Sequence, residues 1–324
     1  MRILCATDLL PKSEAAIERA GLLANQMGAG LELLHVVSPG ESQRALEETL
    51  QRALERTKSR ATPLLWRAHR PADVTVRVGN PARIILDAMA QSKARLLVLG
   101  PHRKRPPRDA LEGTIAEKAL ATKNYPVLVV RDETPRPYRR VLLALDMSEA
   151  SVSAIRAAES LALTPDTHAT VVHAHKPPYQ GMLNSADVGT DSVARYVNEW
   201  KREASSAVRD LLKYESANFA RYDIHIEQPP AAAGILQAIE RYSPDLLVMG
   251  TRGGGRLRQA LVGSVANRVL HDISCDVLIV PEGSFGASRS KLVFGARRPR
   301  AASTESRGAA DTRLTKMGAG GGSH

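Results

Sequence analysis

The sequence of 324 residues contains one pattern twice. The first residues, MRILCATDLLPKSEAAIERAGLLA, match RRVLLALDMSEASVSAIRAAESLA from residue 139 onwards, so Asp8 and Asp146 correspond at an offset of 138. ARLLVLG (94–100) matches PDLLVMG (244–250) at an offset of 150, and YPVLVV matches CDVLIV at the same offset. The difference of twelve residues predicts an insertion in the second repeat, near PPYQGMLNSADVGTDS. Whatever fold one repeat adopts, the other is expected to adopt too.

Short apolar runs alternate with amphipathic runs in each repeat. The apolar runs predict strands at 2–7, 31–37, 74–78, 95–99 and 126–131, and in the second repeat at 140–145, 168–174, 222–227, 245–249 and 276–280. Apolar residues at helical spacing predict helices at 13–27, 42–61 and 148–163. Because the strands are continuously apolar and are separated by helices, they favour a parallel sheet that is covered on both faces. We therefore predict an α/β chain with two tandem, doubly wound, five-stranded parallel-sheet domains.

The repeat also suggests where the domains begin and end. We place the first domain at residues 1–134 and the second at residues 135–283. The linker DETPRPY has seven residues and spans at most about 25 Å, so the two domains must touch. The net charge of +11 is uneven, since residues 284–324 carry eight basic and two acidic side chains. Their composition, rich in Gly, Ser, Ala and Arg, predicts a disordered basic tail.

Apolar runs and cysteines bear on the cellular setting. No apolar stretch approaches the roughly 20 residues that a membrane span needs, and Asp8 interrupts the first apolar run before a signal-peptide core is complete. We therefore expect a cytoplasmic protein. The two cysteines, Cys5 and Cys275, are too few for a disulfide framework or a metal cluster and lie in or beside apolar runs. We expect both to be buried and reduced.

A glycine-rich loop follows the fourth predicted strand of the second repeat, in VMGTRGGGRLRQALVGSVANRVL (248–270). Its pattern is Gly250, two residues, Gly253, nine residues, then Gly263 and Ser264. Glycines let backbone N–H groups approach a ligand closely, and a helix that begins at Ser264 adds free N–H groups and a positive dipole end. With Arg252 in the same loop, these features are typical of a polyphosphate cradle. The alternative is that the glycines only shape the loop and Ser264 only caps a helix.

The ends of the strands point to the same place in each repeat. Asp8 and Asp146 follow the first predicted strand of their repeats, and Gly100 and Gly250 follow the fourth. In doubly wound sheets, ligands bind beyond the carboxyl ends of the strands, where the strand order reverses. We therefore expect one cleft in each repeat.

With this loop, the repeated domain resembles the universal stress protein family, whose nucleotide-binding members carry Gly-x2-Gly-x9-Gly-Ser/Thr after the fourth strand. The resemblance covers nearly all of residues 1–283 as two tandem copies, similar to the bacterial two-domain type. It implies the adenine nucleotide alpha hydrolase-like form of the fold and, in the second repeat, ATP as ligand, alone or with Mg²⁺. The residues to which it assigns nucleotide binding are Asp146, His173, Gly250, Arg252, Gly253, Gly263, Ser264 and Val265.

The first repeat departs from that motif. Arg103 stands where the second repeat has Gly253, and three prolines stiffen the same loop. The residues that still match, and that leave a weaker second nucleotide site open, are Asp8, Gly100, Gly113 and Thr114. Alternatively, the side chains of HRKRPPR (102–108) bind anions directly. The second repeat has a departure of its own, with Pro229-Pro230-Ala231 where the first has the family's usual Gly79-Asn80-Pro81.

Catalytic and metal chemistry find little support. His35, His173 and His175 have no cluster of Asp, Glu or Cys near them in sequence, so we expect no metal site. Asp8 and Asp146 are the candidate general bases, but a carboxylate at a strand end more often hydrogen-bonds a loop or a ligand. No Ser-His-Asp or Cys-His arrangement follows from the spacing. We expect no catalytic residues, although weak ATP hydrolysis stays open.

The resemblance favours a cytoplasmic stress protein whose second domain binds ATP and which acts as a nucleotide-dependent regulator or interaction module. It further implies pairing of the two domains through their last strands within one chain, with a homodimer as a further level. One alternative is a nucleotide-independent scaffold whose basic segments dock acidic proteins or nucleic acid, although 4% aromatic residues supply little stacking for nucleic acid. The other is a slow ATP-consuming hydrolase or nucleotidyl transferase.

Overall fold

The computed structural model of the chain describes residues 1–37, 43–101, 114–174, 177–178, 180–185, 189–227, 230–251 and 264–285. These residues form a ten-stranded sheet with helices on both faces. The strands are β1 Arg2–Thr7, β2 Gly30–Val37, β3 Asp73–Val78, β4 Leu96–Leu99, β5 Val127–Val129, β6 Arg140–Ala144, β7 His168–Ala174, β8 Tyr222–Glu227, β9 Leu246–Gly250 and β10 Asp276–Val280.

The strand order shows two copies of one topology. It runs β3-β2-β1-β4-β5-β10-β9-β6-β7-β8, so each repeat contributes five neighbouring strands in the same internal order. The pairs within each repeat are parallel, as the apolar runs predicted. Across the centre, β5 and β10 pair antiparallel, with Leu128 opposite Leu278. The α/β class with a mostly parallel sheet is confirmed, and the strand bounds agree with prediction to within two residues.

The helices are α1 Pro11–Met27, α2 Gln43–Arg67, α3 Pro81–Ser92, α4 Ile115–Ala121, α5 Glu149–Leu161, α6 Gln180–Ser185, α7 Thr190–Glu215, α8 Ala231–Tyr242 and α9 Ser264–Asp272. Helix α2 runs six residues past its predicted end at 61, through Pro63. Leu65, beyond the proline, is buried against the sheet, so tertiary packing prolongs a helix that the local sequence suggested would stop. Helix α6 lies in the predicted insertion. Among the described helices, none is both long and apolar enough to cross a bilayer.

The core forms two layers, one on each face of the sheet. Successive strand residues alternate between them: Ile3 and Cys5 face the layer that holds α1 and α2, whereas Leu4 and Ala6 face the layer that holds α3 and α4. Each layer continues into the second repeat without a break, with α5 and α7 on the first face and α8 and α9 on the second. Strands that are covered on both sides must be apolar throughout, which explains their continuous runs.

A buried polar cluster joins the two repeats beside the β5–β10 pair. Asp276 is fully buried, and its carboxylate accepts hydrogen bonds from Arg19 Nε at 3.0 Å and from the Tyr138 hydroxyl at 2.7 Å. Its other oxygen accepts from the backbone N–H groups of Arg131 at 2.7 Å and Asp132 at 3.0 Å. The guanidinium of Arg19 also lies 3.9 Å from the centre of the Tyr138 ring. This cluster ties α1 of the first repeat and the linker to the last strand of the second.

The two cysteines lie in the core as expected. Both are free thiols in buried positions. Burial raises the pKa of Cys5 to about 12. Burial, and then the nearby Asp276 carboxylate, raise the pKa of Cys275 to about 12. Neither thiol is poised for nucleophilic chemistry, because the reactive form is the thiolate.

Candidate functional site

The second repeat brings three of the predicted nucleotide residues to one edge of the sheet. Strands β7, β6 and β9 are neighbours, and all three are parallel. His173 lies near the carboxyl end of β7, Asp146 follows β6, and Gly250 ends β9. Helix α9 begins at Ser264, followed by the half-buried Val265. Arg252, Gly253 and Gly263 lie outside the described residues, as does the side chain of Ser264.

Asp146 is held in a fixed orientation by the start of α5. Its Oδ1 accepts hydrogen bonds from the Ser148 hydroxyl at 2.6 Å, the Ser148 N–H at 3.1 Å and the Ser151 hydroxyl at 2.6 Å. The next residue, Met147, has a left-handed backbone with φ of 65°, which turns the chain sharply into the helix. The serines that orient the carboxylate were absent from the predicted site, because Ser148 reads in the sequence as an ordinary helix cap.

The second carboxylate oxygen of Asp146 is buried and has no hydrogen-bond partner among the described residues. A buried charged oxygen left without a donor costs about 1–3 kcal/mol or more. Such a group persists in folded proteins where a ligand or an ordered water supplies the donor. A hydrogen-bond donor to Oδ2 would therefore come from outside the described residues, either from the chain itself or from a bound molecule.

Two of the predicted glycines have a packing role that the sequence did not reveal. A Cβ added to Gly250 would lie 2.6 Å from the Cβ of Ala150 and 3.0 Å from its backbone carbon. A Cβ on Gly100 would lie 3.1 Å from the Cα of Ser13. In both repeats the end of the fourth strand passes close to the first helix: a Cβ has no room at Gly250, whereas at Gly100 it would make a tight contact. Helix packing alone therefore requires Gly250, whatever its part in the approach of a phosphate.

The first repeat encloses a cavity of about 260 Å³ at the equivalent strand ends. Asp8, Gly100 and Thr114 line it, whereas Gly113 lies outside the described residues. The Oδ1 of Asp8 accepts from the Ser13 hydroxyl at 2.5 Å and from the Leu10 N–H at 3.1 Å. The described residues thus place three of the four candidates for the weaker site around one hollow.

The rim of this cavity contains groups that the motif comparison did not single out. Thr114 and Glu117 form a reciprocal cap at the start of α4: the Thr114 N–H donates to Glu117 Oε2 at 2.6 Å, and the Glu117 N–H donates to Thr114 Oγ1 at 3.0 Å. The Asn80 side chain caps α3 by accepting from the Arg83 N–H at 3.2 Å. Helix α8 of the second repeat begins after Pro230 without a side-chain cap. The Thr-x-x-Glu spacing is readable in the sequence as a capping box.

The histidines serve structure in both repeats. His35 Nδ1 lies 2.8 Å from the carbonyl of Thr7, and His173 Nδ1 lies 2.9 Å from the carbonyl of Leu145. Each ring therefore bridges the ends of two neighbouring parallel strands. The described part of the chain contains no group of three or more His, Cys, Asp or Glu side chains that could hold a metal ion. His175 lies outside the described residues.

The comparisons with known proteins all find the same family. The model of the Universal stress protein family matches the chain twice, over residues 1–131 and 137–281. A universal stress protein of Methanocaldococcus jannaschii is 27% identical over 164 residues, covering 50% of this chain and 92% of its own length. Universal stress protein A homolog 1 of Coxiella burnetii is 30% identical over 145 residues, covering 44% of this chain and 96% of its own length.

Solved structures show the same fold over both repeats. A universal stress protein from Archaeoglobus fulgidus covers 87% of this chain and 98% of its own length with a TM-score of 0.64 at 17% identity. A putative universal stress protein from Pseudomonas aeruginosa covers 88% of this chain and 94% of its own length with a TM-score of 0.56 at 21% identity. At these identities the likeness concerns the architecture.

Proposed function

Because the chain belongs to the universal stress protein family, with one family domain in each repeat, we propose that it is a stress-response protein whose second repeat binds ATP. In this proposal, bound ATP sets the shape or the partner choice of the protein and is not consumed in turnover. The proposal extends the family membership to one ligand and to one of the two repeats.

The observation that carries the proposal is the buried Oδ2 of Asp146, which has no partner in the described part of the chain. It needs a hydrogen-bond donor, and the ribose hydroxyls of a nucleotide are donors that a small-molecule site at this strand end would receive. The serine cluster on Oδ1 fixes the carboxylate, so Oδ2 points in one direction before the ligand arrives. A group that is oriented in advance loses little entropy on binding.

The first residues of α9 suit the phosphate end of ATP. β9 lies next to β6, and the chain returns from β9 to the helix that begins at Ser264. The first N–H groups of a helix have no partners within the helix and attract phosphate oxygens. The sequence places Gly253 and Gly263 between these two elements, in the spacing that the family uses for a nucleotide loop. Sugar and phosphates would thus each meet a suitable group.

Isothermal titration of the full chain with ATP, with and without Mg²⁺, tests the proposal. Asp146→Ala should weaken ATP binding about tenfold or more, since a charge-assisted hydrogen bond is worth about 1.5–3 kcal/mol. The double variant Gly263→Val with Ser264→Ala should abolish binding by obstructing the phosphate loop. Asp8→Ala, at the equivalent position of the first repeat, is the matched control and should leave ATP affinity unchanged.

Three outcomes would contradict the proposal. Unaltered ATP affinity in both second-repeat variants would show that the nucleotide binds elsewhere. Absence of any adenine nucleotide binding would favour a scaffold that acts through its basic segments. Release of ADP or AMP faster than about 1 s⁻¹, within the ordinary range of enzyme turnover, would favour an ATP-consuming enzyme.

A further inference from the structure

The ten-stranded sheet has two edges, one in each repeat. Strand β3 (Asp73–Val78) ends the strand order on one side and β8 (Tyr222–Glu227) ends it on the other, so among the described residues each has a neighbouring strand on one side only. An edge strand presents a row of unpaired N–H and C=O groups, which is a template for pairing with another chain. The edges are therefore the places where this sheet can gain a strand.

A backbone hydrogen bond shows which residues of β3 face outwards. The Gly79 N–H donates to the carbonyl of Val37 in β2 at 3.0 Å. The polar backbone groups of successive residues point to opposite sides of a strand. The odd-numbered residues of β3 therefore direct their N–H and C=O groups towards β2. The even-numbered residues, Val74, Val76 and Val78, direct theirs away from the sheet.

The charges of β3 complement each other when two copies run antiparallel. In the register that places Thr75 opposite the same residue of a second copy, each Asp73 lies opposite an Arg77. Val74 then lies opposite Val76, and their outward-facing backbone groups form the hydrogen bonds. The charged pairs fall at the positions between these bonds, where side chains of two antiparallel strands lie closest. Opposite charges that face each other across two strands stabilise their pairing.

Neighbouring registers lack this match. A shift by one residue sets the outward-facing groups of one copy against residues of the other whose groups face β2, so the hydrogen bonds are lost. A shift by two residues keeps the hydrogen bonds but places Thr75 opposite Asp73 or Arg77, which leaves no ion pair. Hydrogen bonds and charges together therefore select one two-fold register.

Both charged side chains of β3 are available for this pairing. Asp73 has a side chain that is 73% exposed and that lies 3.5 Å from the guanidinium of Arg2. Arg77 donates to the Gln91 side chain at 2.8 Å in an exposed hydrogen bond. Exposed contacts of this kind contribute little to stability, so their exchange for contacts with a second copy costs little.

The edge of the second repeat carries the wrong charges for the same pairing. At the offset of 150 between the repeats, Asp223 and Glu227 stand where β3 has Asp73 and Arg77. Two antiparallel β8 strands in the equivalent register would set Asp223 opposite Glu227 twice, and like charges directly opposite each other are destabilising. A mixed β3–β8 pairing would combine one pair of opposite charges with one pair of like charges. The charges therefore favour β3 with β3.

We propose that the chain forms a two-fold dimer in which the β3 strands of two copies pair antiparallel about Thr75. The pairing of β5 with β10 already occupies the last strands within one chain, so β3 supplies a separate surface for a second copy. The dimer doubles the ten strands of the sheet. Because both copies use the same edge, the contact is closed and does not continue into a filament. This inference does not depend on nucleotide binding by either repeat.

Sedimentation equilibrium of the full chain measures the dimer. With rising concentration the wild-type chain should approach twice its mass of 35.0 kDa. Arg77→Glu gives β3 the charges of β8 and should raise the dissociation constant of the dimer at least about tenfold, because two attractive pairs become repulsive. Addition of Asp73→Arg to this variant restores opposite charges in exchanged order and should return the constant to within about threefold of the wild-type value.

Asp223→Ala, at the position equivalent to Asp73, is the matched control. It should leave the dissociation constant unchanged, because β8 takes no part in the dimer. Circular dichroism of every variant establishes that it is folded.

A disulfide on the two-fold axis tests the register. Residues that face each other between the hydrogen bonds have Cα atoms about 4.5 Å apart, within the roughly 4.4–6.8 Å that a disulfide spans. Thr75→Cys should therefore cross-link two chains under mild oxidation, whereas His225→Cys, at the equivalent position of β8, should not. The native Cys5 and Cys275 do not compete, because both are buried. Non-reducing electrophoresis measures the covalent dimer.

Several results would overturn the inference. A wild-type chain that stays monomeric at every concentration would remove the dimer. A dimer that survives Arg77→Glu, or that the charge exchange fails to restore in a folded protein, would show that these charged pairs do not hold it together. Cross-linking through His225→Cys but not through Thr75→Cys would place the contact at β8.

Discussion

Replacement of Asp276 by alanine should destabilise both repeats together. The carboxylate is fully buried and accepts from four donors, which lie at 3.0 Å (Arg19 Nε), 2.7 Å (Tyr138 hydroxyl), 2.7 Å (Arg131 N–H) and 3.0 Å (Asp132 N–H). Removal of one partner from a buried ion pair costs about 3–5 kcal/mol, because the other charge stays buried without compensation.

The expected loss lies near the lower end of that range. Arg19 is 1% exposed, yet it keeps the carboxylate of Asp132 at 3.5 Å and still donates to the carbonyl of Arg136. These contacts partly compensate the charge that Asp276 leaves. The four hydrogen bonds share one acceptor group, so their separate worths do not add. We therefore expect Asp276→Ala to lower the free energy of unfolding by about 3 kcal/mol.

Guanidinium chloride unfolding with one tryptophan reporter in each repeat measures this effect. The two tryptophans of the sequence are Trp66, in the first repeat, and Trp200, in the second, so each can be kept while the other is replaced by phenylalanine. Asp276→Ala should shift both transitions by the same free energy. Glu14→Ala is the control, because the ion pair of Glu14 with Arg60, at 2.8 Å, joins side chains that are 38% and 41% exposed and is worth about 1 kcal/mol or less.

Two outcomes would refute this reasoning. A loss below about 1 kcal/mol would mean that the buried cluster contributes no more than a surface ion pair. A shift confined to the Trp200 reporter would mean that Asp276 supports the second repeat alone and does not join it to the first.

Three further predictions follow from the packing and the buried groups. The double variant Arg19→Met with Asp276→Leu should recover at least half of the unfolding free energy that Asp276→Ala loses, since apolar replacement of a whole buried ion pair is often neutral. Chemical denaturation measures the recovery, and a loss equal to the sum of the two single-variant losses would contradict the prediction. Gly250→Ala should cost about 1–3 kcal/mol because its Cβ would lie 2.6 Å from that of Ala150. Gly181→Ala, whose Cβ would meet no described atom within 4 Å, should leave thermal stability nearly unchanged or raise it. The contribution of the buried thiols to the free energy of unfolding should be fully present below about pH 8.5 and should fall as the pH rises, because unfolded thiols ionise near that pH while burial raises the pKa of Cys5 and Cys275 to about 12. Cys5→Ala should reduce the slope of the unfolding free energy against pH, between about pH 9 and 10, by up to about 1.4 kcal/mol per pH unit. An unchanged slope would contradict the assignment.

The sequence predicts the fold well because two copies of one pattern constrain each other. A run that is ambiguous in one repeat, such as the short 126–131, is supported by its partner at 276–280. Strand residues that face two helical layers must be apolar without interruption, and this signal is strong in a single sequence. The end of α2 was wrong because the burial of Leu65 is a tertiary effect that the residues around Pro63 do not show.

The side-chain contacts between the repeats were beyond sequence reasoning, although the family resemblance implied that the last strands pair. Arg19 and Asp276 are 257 residues apart, and each alone reads as a charged residue of a surface. The same holds for Leu270, whose position in α9 suggests a core residue of the second repeat and not part of the wall of the first-repeat cavity. Side-chain contacts of this kind depend on how the two folded repeats pack together. The residues near each partner in the sequence do not reveal that packing.

The candidate site was predicted in part. The predicted topology already placed Asp146 near Gly250, because the two residues follow and end β6 and β9, which are neighbours in any sheet of this strand order. The orphaned Oδ2 of Asp146 depends on the placement of Ser148 and Ser151 around the other oxygen, which the sequence shows only as helix-capping residues. Glu117 was legible in the sequence as half of a capping box with Thr114.

Native mass spectrometry of the freshly purified full chain decides whether the second repeat holds ATP, because it counts nucleotides per chain and identifies them. We expect one ATP on each wild-type chain, retained in Asp8→Ala and lost in Asp146→Ala. A chain that carries no adenine nucleotide even after incubation with ATP, or one whose ATP is lost in Asp8→Ala and kept in Asp146→Ala, would contradict it.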